Sequence, residues 1–424
     1  MTTSNTPSVA VIGGGWAGCA AALTLAEAGV AVTLHEASRT LGGRARAVEV
    51  EDLTLDNGQH ILLGAYTQTR ALISRLSSTD ALWALPLAIH QPPDFYLRCP
   101  RLPAPMHLLA GLLSARGLSW REKFSAVAWV QKTLRTTTLS GHQSVAQLTQ
   151  QQPARLNRLL WHPLCISALN TPPESASAQI FCDVLRAAFG GRAEHSDLLL
   201  PRRDLTTLLP APAAERIAAL GGVVQMSSRV SQLADQPDNI ALHTQNDHAH
   251  YSHVIVAVAP QHLADLLTPF PALADTLTGL AAYTYQPIAT AYLQFDAAVR
   301  LEQPLYALRN GPAQFVFDRG QSHGQAGLLA LVASAASDLP DDWLEQAEAQ
   351  LHQVMAVSPP RWRKRIIEKQ ATYACVPGLL RPAVRTAHPR IFLAGDYTVG
   401  DYPATLESAT VSGVQSAEAV LESL

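Results

Sequence analysis

The stretch "VAVIGGGWAGCAAALTLAEAGVAVTLHEAS", Val9 to Ser38, decides the fold. It passes from four apolar residues through a glycine cluster and a small-residue run to a second apolar run ending in an acid. That is the order strand, tight turn, helix, strand. Gly13 supplies the backbone angles of a sharp strand-to-helix turn. Gly15 leaves no side chain against a pyrophosphate, and Gly18 lets the helix lie close to the sheet, which gives the spacing G-x-G-x-x-G. The first helix amides and the helix dipole favour phosphate charge. Ala20, Ala21, Ala22 and Ala26 keep the helix slim, Gly29 ends it, and Val30 to Leu34 form the second strand. Glu36 comes next, 18 positions past Gly18, where a carboxylate accepts hydrogen bonds from both hydroxyls of an adenosine ribose. Glycines serving only a tight turn would explain neither Gly15 nor Glu36. The unit therefore reads as a dinucleotide site.

Composition narrows the class. A chain of 424 residues exceeds the ~250–300 residues of a single core, so two joined domains are expected. A hydrophobic fraction of 48% against 15% charged residues suits a large core. A net charge of −3 without a basic stripe argues against a nucleic-acid partner. The five cysteines, Cys19, Cys99, Cys165, Cys182 and Cys375, are scattered and form no C-x-x-C. They point away from disulfides and zinc and toward a reducing cytoplasm. The opening "MTTSNTPS" is polar and uncharged, which fits neither a signal peptide nor an anchor. No apolar stretch approaches the ~20 residues that span a bilayer, so any membrane contact is expected to be peripheral.

The residues after Glu36 separate flavin from nicotinamide. "EASRTLGGRARAVEVEDLTLDNGQHILLGAY" adds Gly42 and Gly43, then Arg44 and Arg46, then Gly58. Beside a glycine turn, the fork of Arg44 can neutralise pyrophosphate charge, although an arginine there can also be a surface residue. Near the far end, "RIFLAGDYTVGDYPATLESATVSGVQSAEAVL" repeats the design in miniature. Ile391 to Ala394 form a strand, Gly395 permits close approach, and Asp396 can bond a polyol hydroxyl or a phosphate-bound water. A helix comes after it, whose first amides around Thr405 and Leu406 can face an electron-rich ring. A nicotinamide dinucleotide needs no such element so far along the chain.

The glycine triad, "EASRTLGGRA", the closing "LAGD" and the "PATLESA" helix together resemble the amine oxidase and phytoene desaturase superfamily of FAD-dependent oxidoreductases. Within it, "DNGQHILLGAY", "WHPLCISALNTPPESASAQIFCDVLR" and "LLLPRRDLTTLLP" resemble the hydroxysqualene dehydroxylases, also called squalene-associated FAD-dependent desaturases. The resemblance runs from Val9 to Val420. It implies an α/β fold, with a Rossmann-like FAD-binding domain of discontinuous segments (1–72, 202–260 and 386–424). A mixed α+β substrate domain (73–201 and 261–385) is inserted between them. It also implies FAD contacts from Gly13, Gly15, Ala17, Gly18, Glu36, Gly43, Arg44, Gly58, Gln59, Gly395, Asp396, Thr405 and Leu406, with the backbone of Val230 on the adenine.

The rest of the chain fits that organisation. "DLTTLLPAPAAERIAALGGVVQMSSRVSQL" predicts a helix stopped by Gly221 and Gly222, then one strand over Val223 to Val230. "HVIVAVAP", His253 to Pro260, predicts a buried parallel strand. "QPIATAYLQFD" and "GLLALVASAA" predict strands in the insertion. The segment Arg101 to Gln131 places Met106, Leu108, Leu109, Leu112 and Leu113 near Trp120, Phe124, Val127 and Trp129, with cationic residues between. It reads either as two amphipathic core helices or as a membrane-surface entrance with its tryptophans at headgroup level. His243, His248, His250 and His253 read as solvated. By the resemblance, "DNGQH" places His60 against the flavin, where it is either a packed histidine or a proton donor. Asp56 and Glu407 each read as a cap or a cofactor ligand. No Ser-His-Asp or metal-ligand spacing emerges, so the cofactor carries the hard chemistry.

The expected reaction comes from the resemblance: reduced FAD delivers hydride from N5 to the allylic carbon of hydroxysqualene as the hydroxyl leaves as water, giving squalene for triterpenoid (hopanoid) synthesis. The expected substrate is a long-chain isoprenoid. The expected location is cytoplasmic, at the inner face of the cytoplasmic membrane, and the sequence does not reveal the electron donor. Two other readings stand beside this one. A carotenoid or squalene desaturase would run the flavin in the opposite direction. A non-enzymatic isoprenoid carrier would need no flavin, and the retention of Glu36, Arg44 and Asp396 speaks against it.

Overall fold

The fold is described from a computed structural model over residues 7–76, 80–139, 141–245 and 247–424. The first six residues, which open "MTTSNTPS", lie outside it. The first unit forms as its sequence dictates: a strand Ser8–Ile12, a helix Trp16–Glu27 and a strand Ala31–His35. The helix is apolar around most of its circumference because it is covered on both sides. Ala20, Ala21, Ala22 and Leu23 are fully buried.

These two strands sit inside a five-stranded parallel sheet in the order Val223–Gln225, Ala31–His35, Ser8–Ile12, His253–Val256, Ile391–Leu393. Pairs such as Val11 with Ile255 and Ile255 with Phe392 fix the register. The sheet thus draws strands from the beginning, middle and end of the chain. The C-terminal helix Leu406–Leu421 packs on the first helix, and a Cβ at Gly413 would lie 2.2 Å from the Ala17 carbonyl oxygen. Glycine is required there by the close crossing.

The middle segment departs from the expectation in two ways. Residues 205–219 form two helices, Leu205–Leu208 and Pro210–Ala219. Pro210 can only begin a new helix, because a proline has no amide to continue the old one. The single strand expected over Val223 to Val230 is two. Val223–Gln225 joins the parallel sheet, the chain turns at Ser227 (φ 54°), and Val230–Asp235 opens a separate three-stranded antiparallel sheet. The strand His253–Val256 is buried and parallel as expected. His253 is therefore 9% exposed, tilted on Phe392, and not the solvated residue its polar neighbours suggested.

The insertion is built on a second five-stranded sheet, in the order Leu305–Ala307, Phe315–Asp318, Leu328–Ala333, Tyr285–Gln294, Trp362–Tyr373. The expected strands "QPIATAYLQFD" and "GLLALVASAA" are neighbours in it, paired antiparallel from Ala289 with Ala333 to Gln294 with Leu328. Beside it lie the helices His162–Leu169 and Ala178–Phe189 and the pair Met106–Ser114 and Trp120–Arg135. The last helix begins with a capping box between Ser119 and Glu122. The pair buries one face and exposes the other. Leu108, Leu112 and Trp129 are buried, with Trp129 4.3 Å from the Trp161 ring, so Trp129 is core and not a headgroup-level residue. Leu102, Met106, Trp120 and Phe124 are exposed. No helix among the described residues is long and apolar enough to cross a membrane.

Candidate active site

A cavity of about 990 Å³ opens at the C-terminal ends of the parallel strands and continues into the insertion. Gly13, Gly15, Ala17, Glu36, Gly43, Arg44, Gly58, Gln59, His60, Val230, Gly395, Asp396, Thr405 and Leu406 all line it. Gly18 lies behind it, against the Gly13 carbonyl.

The three glycines of the first loop have separate causes. Gly13 sits at φ 106°, and a Cβ there would meet the Ala257 carbonyl oxygen at 2.8 Å. At Gly18 a Cβ would lie 1.8 Å from the Gly13 carbonyl oxygen. Gly15 differs: its backbone is extended (φ −72°), and the nearest atom to a Cβ would be the Gly43 Cα at 4.0 Å. The open space at Gly15 faces the cavity. No side chain caps the helix that starts after it, so its amides are available to an anion. The second glycine pair packs on this loop, with the Gly42 amide donating to the Gly14 carbonyl at 2.8 Å.

The charged groups are more engaged than the sequence suggested. The Glu36 carboxylate accepts from the Gly14 amide at 2.6 Å and the Ser38 amide at 2.7 Å, which fixes it at the end of its strand with lone pairs to spare. Arg44 donates to Asp396 at 2.5 Å and to the Ala371 carbonyl at 2.9 Å. Burial works against its charge, yet Asp396 and Glu368 hold the guanidinium protonated beyond its ordinary range. Arg44 and Asp396, expected as separate ligands for phosphate and polyol, form one ion pair on the cavity wall. The C-terminal helix presents its first amides to the cavity, with the Thr405 hydroxyl accepting from Ser408.

Glu407 and Asp56 resolve as structural. The Glu407 carboxylate accepts from the Gln68 and Thr69 amides at 2.9 and 2.8 Å, capping the helix Thr67–Leu76. Asp56 is 2% exposed, accepts from the Leu205 amide at 2.8 Å and pairs with Arg319 at 3.0 Å. Burial raises its carboxyl, and Arg319 pulls against that. Gly58 takes φ 94°, turning the chain so that its carbonyl accepts the Nδ1 proton of His60 at 2.8 Å. Nδ1 is then the protonated nitrogen, and Nε2 donates only when the ring is charged. Burial lowers the His60 pKa below its usual value, and Arg44 adds to the effect.

The insertion supplies the other walls. Ile89, Leu164, Leu185 and Phe189 face Ile288, Phe315 and Phe317 across the cavity. The sequence reading missed Glu368, which lines the cavity and accepts from the Asn57 side chain at 3.0 Å, and it missed Arg319. Glu368 sits within the strand Trp362–Tyr373 and Arg319 opens the short helix Arg319–His323, both without a motif. Their one signal was a charge beside an apolar run, which an exposed residue gives equally well.

The geometry fits a dinucleotide whose pyrophosphate meets the Gly15 loop and whose ring end reaches the insertion. The family model described as flavin-containing amine oxidoreductase matches residues 16–421. A hydroxysqualene dehydroxylase of Sinorhizobium fredii is 26% identical, with 98% of each chain covered. A 15-cis-phytoene desaturase of Synechococcus elongatus is also 26% identical, over 97% of this chain and 95% of that one. The solved structure of an oxidoreductase from Methanosarcina mazei shares the fold, with a TM-score of 0.76 and 14% identity over 98% of this chain and 100% of that one. The chain belongs to the flavin-containing amine oxidoreductase family and is an FAD-dependent oxidoreductase.

Proposed function

We propose that the chain is a hydroxysqualene dehydroxylase, reducing the allylic alcohol to squalene. The observation that carries this reading is the continuity of the cavity: phosphate-binding loops, His60 and a long apolar wall line the same space. We assign segments 1–72, 202–260 and 386–424 to cofactor binding and 73–201 and 261–385 to the substrate, since the two sheets draw their strands from these two sets.

When bound, reduced FAD supplies hydride from N5. The chain's own residues have three tasks. Gly15, Glu36 and the first amides of the helices Trp16–Glu27 and Leu406–Leu421 hold and orient the cofactor. The aliphatic and aromatic walls exclude water, so that a developing allylic cation meets hydride and not solvent. His60 is our proton donor, because hydroxide is a poor leaving group and must depart as water. The lowered pKa keeps most of the imidazole neutral near pH 7, and it makes the charged minority a stronger acid. Turnover should therefore rise as the pH falls below 6.5.

We also propose a peripheral membrane contact through Leu102, Met106, Trp120 and Phe124. Trp120 is 64% exposed, its ring is 6.0 Å from that of Phe124, and Lys123 lies over it at 4.6 Å. Arg116, Arg121 and Lys132, all exposed, surround this face with positive charge suited to anionic lipid.

The deciding experiment mixes anaerobically reduced enzyme with hydroxysqualene in a stopped-flow instrument. Recovery of the oxidised flavin spectrum with formation of squalene is expected. No recovery, together with bleaching of the oxidised flavin by a more saturated isoprenoid, would make the chain a desaturase.

A further inference from the structure

The turn Asp56–His60 belongs to the cofactor half of the molecule, yet much of its support comes from the insertion. The Gln325 side-chain amide donates to the Thr54 carbonyl at 2.8 Å, and the Tyr292 hydroxyl donates to the Asp56 carbonyl at 3.0 Å. The Gln59 amide donates to the Thr290 hydroxyl at 3.3 Å. At the centre lies Arg319, whose side chain is fully buried. Its Nη1 donates to the Asp56 carboxylate at 3.0 Å and to the Gln59 side-chain carbonyl at 2.9 Å, so one nitrogen bridges both ends of the turn. Its Nε donates to Gln325 at 2.6 Å, and its guanidinium lies 5.6 Å from the Tyr292 ring centre. From the cofactor side the turn is met by the Leu205 amide on Asp56 and by the Arg46 carbonyl, which accepts from the Asn57 amide.

A buried ion pair is a poor source of stability, since desolvating two charges offsets most of their attraction, and an apolar pair of similar volume does as well or better. What a planar fork of fixed donors does supply is geometry. Gly58 and Gln59 lead directly into His60 on the cavity wall, and Arg319 holds the residue next to His60 directly.

We propose that Arg319 is a positioning residue, which locks the Asp56–Gln59 turn to the insertion and so sets the placement of His60 and Gly58 against the bound flavin. The seating of the substrate half is thereby coupled to the geometry of the redox site. This rests on the FAD-dependent dehydroxylation proposed above.

The test compares full-length, FAD-loaded Arg319→Lys and the double variant Asp56→Asn/Arg319→Met with wild type. The double variant removes both charges, so no unpaired ion is left buried, and the introduced amide keeps a carbonyl oxygen to accept from the Leu205 amide. Two quantities are read: the visible circular dichroism of the bound flavin, and the rate at which hydroxysqualene reoxidises the anaerobically reduced enzyme. The double variant should fold and keep FAD, with altered flavin dichroism. Its reoxidation should be slowed roughly 10- to 100-fold at saturating substrate, the effect of a small misplacement, while the half-saturating concentration hardly moves. Arg319→Lys should fall between the two. A folded double variant with wild-type dichroism and rate overturns the proposal. If the double variant does not fold, Arg319→Lys decides, and wild-type behaviour there overturns it equally. If hydroxysqualene fails to reoxidise even the wild type, the assigned reaction is wrong. The dichroism then decides alone: altered supports the positioning role, unchanged overturns it.

Discussion

Replacing Gly15 with alanine separates a cofactor glycine from a packing glycine. Gly15 has φ −72°, which alanine adopts freely, and its new Cβ would come no closer than 4.0 Å to another atom, the Gly43 Cα. The FAD-free protein should therefore lose nothing. It should gain about 0.4–1 kcal/mol, because alanine narrows the unfolded ensemble. The methyl group would project into the cavity, where we propose that the pyrophosphate binds. Crowding of that size costs about 1–3 kcal/mol, or roughly 5- to 150-fold in the dissociation constant. Gly18→Ala and Gly13→Ala serve as controls. Their Cβ atoms would lie 1.8 and 2.8 Å from backbone oxygens, and Gly13 sits at φ 106°, so each should destabilise the FAD-free protein itself. The assay is thermal melting of the protein stripped of flavin, followed by titration with FAD. A Gly15→Ala protein that binds FAD as wild type does, or whose FAD-free form melts as low as that of Gly18→Ala, would refute the assignment of this loop.

Four further expectations can be measured. Glu36→Ala should weaken FAD binding by ~1.5–3 kcal/mol, the worth of charge-assisted hydrogen bonds, and should also lower the melting temperature of the FAD-free form, since the Gly14 and Ser38 amides lose their acceptor. His60→Ala should retain flavin and lose roughly 10²–10⁴ in the flavin-reoxidation step; unchanged reoxidation would move the acid to water or another residue. His323 is 5% exposed, and burial, aided by Arg319, pushes its pKa down to about 3. The folded state therefore keeps it neutral while the unfolded chain takes up a proton below 6.5, so stability present above that pH is lost at about 1.4 kcal/mol per unit as pH falls. Urea unfolding of His323→Gln between pH 7 and 5 should show a shallower loss than wild type. Trp120→Ser with Phe124→Ser should reduce salt-sensitive binding to anionic liposomes without a change in melting temperature, whereas Trp129→Ser should destabilise the fold; undiminished liposome binding in the first variant would remove that face from membrane contact.

The local chemistry of the cofactor half was legible because it is written in contiguous residues. A strand, a glycine turn and a helix declare themselves over thirty positions, and the pattern holds wherever the unit sits in the molecule. The backbone duties of Gly13 and Gly18 could be read from spacing, because the turn and the close helix approach that require them belong to one loop. The resemblance to FAD-dependent oxidoreductases added the far end of the site, near Asp396 and Thr405.

What pairs with what could not be read so. Arg44 and Asp396 each looked like a ligand, and only the fold made them an ion pair across 352 positions. Glu407 read equally as a cap and as a cofactor ligand until the helix Thr67–Leu76 was seen to start on it. Trp120 and Trp129 are alike in composition and neighbourhood, but they face opposite sides of one helix pair whose inner side is set by Trp161 and Phe181. Arg319 carries no motif, and its meaning comes from the Asp56 and Gln59 groups that the second sheet brings to it. By itself the sequence determined the first strand–turn–helix–strand unit, the glycine loops and a dinucleotide-type cofactor, since these follow from backbone constraints acting over a few residues. The tertiary structure decided which charges neutralise one another and which apolar faces stay exposed, because those depend on distances between segments hundreds of residues apart that only packing fixes.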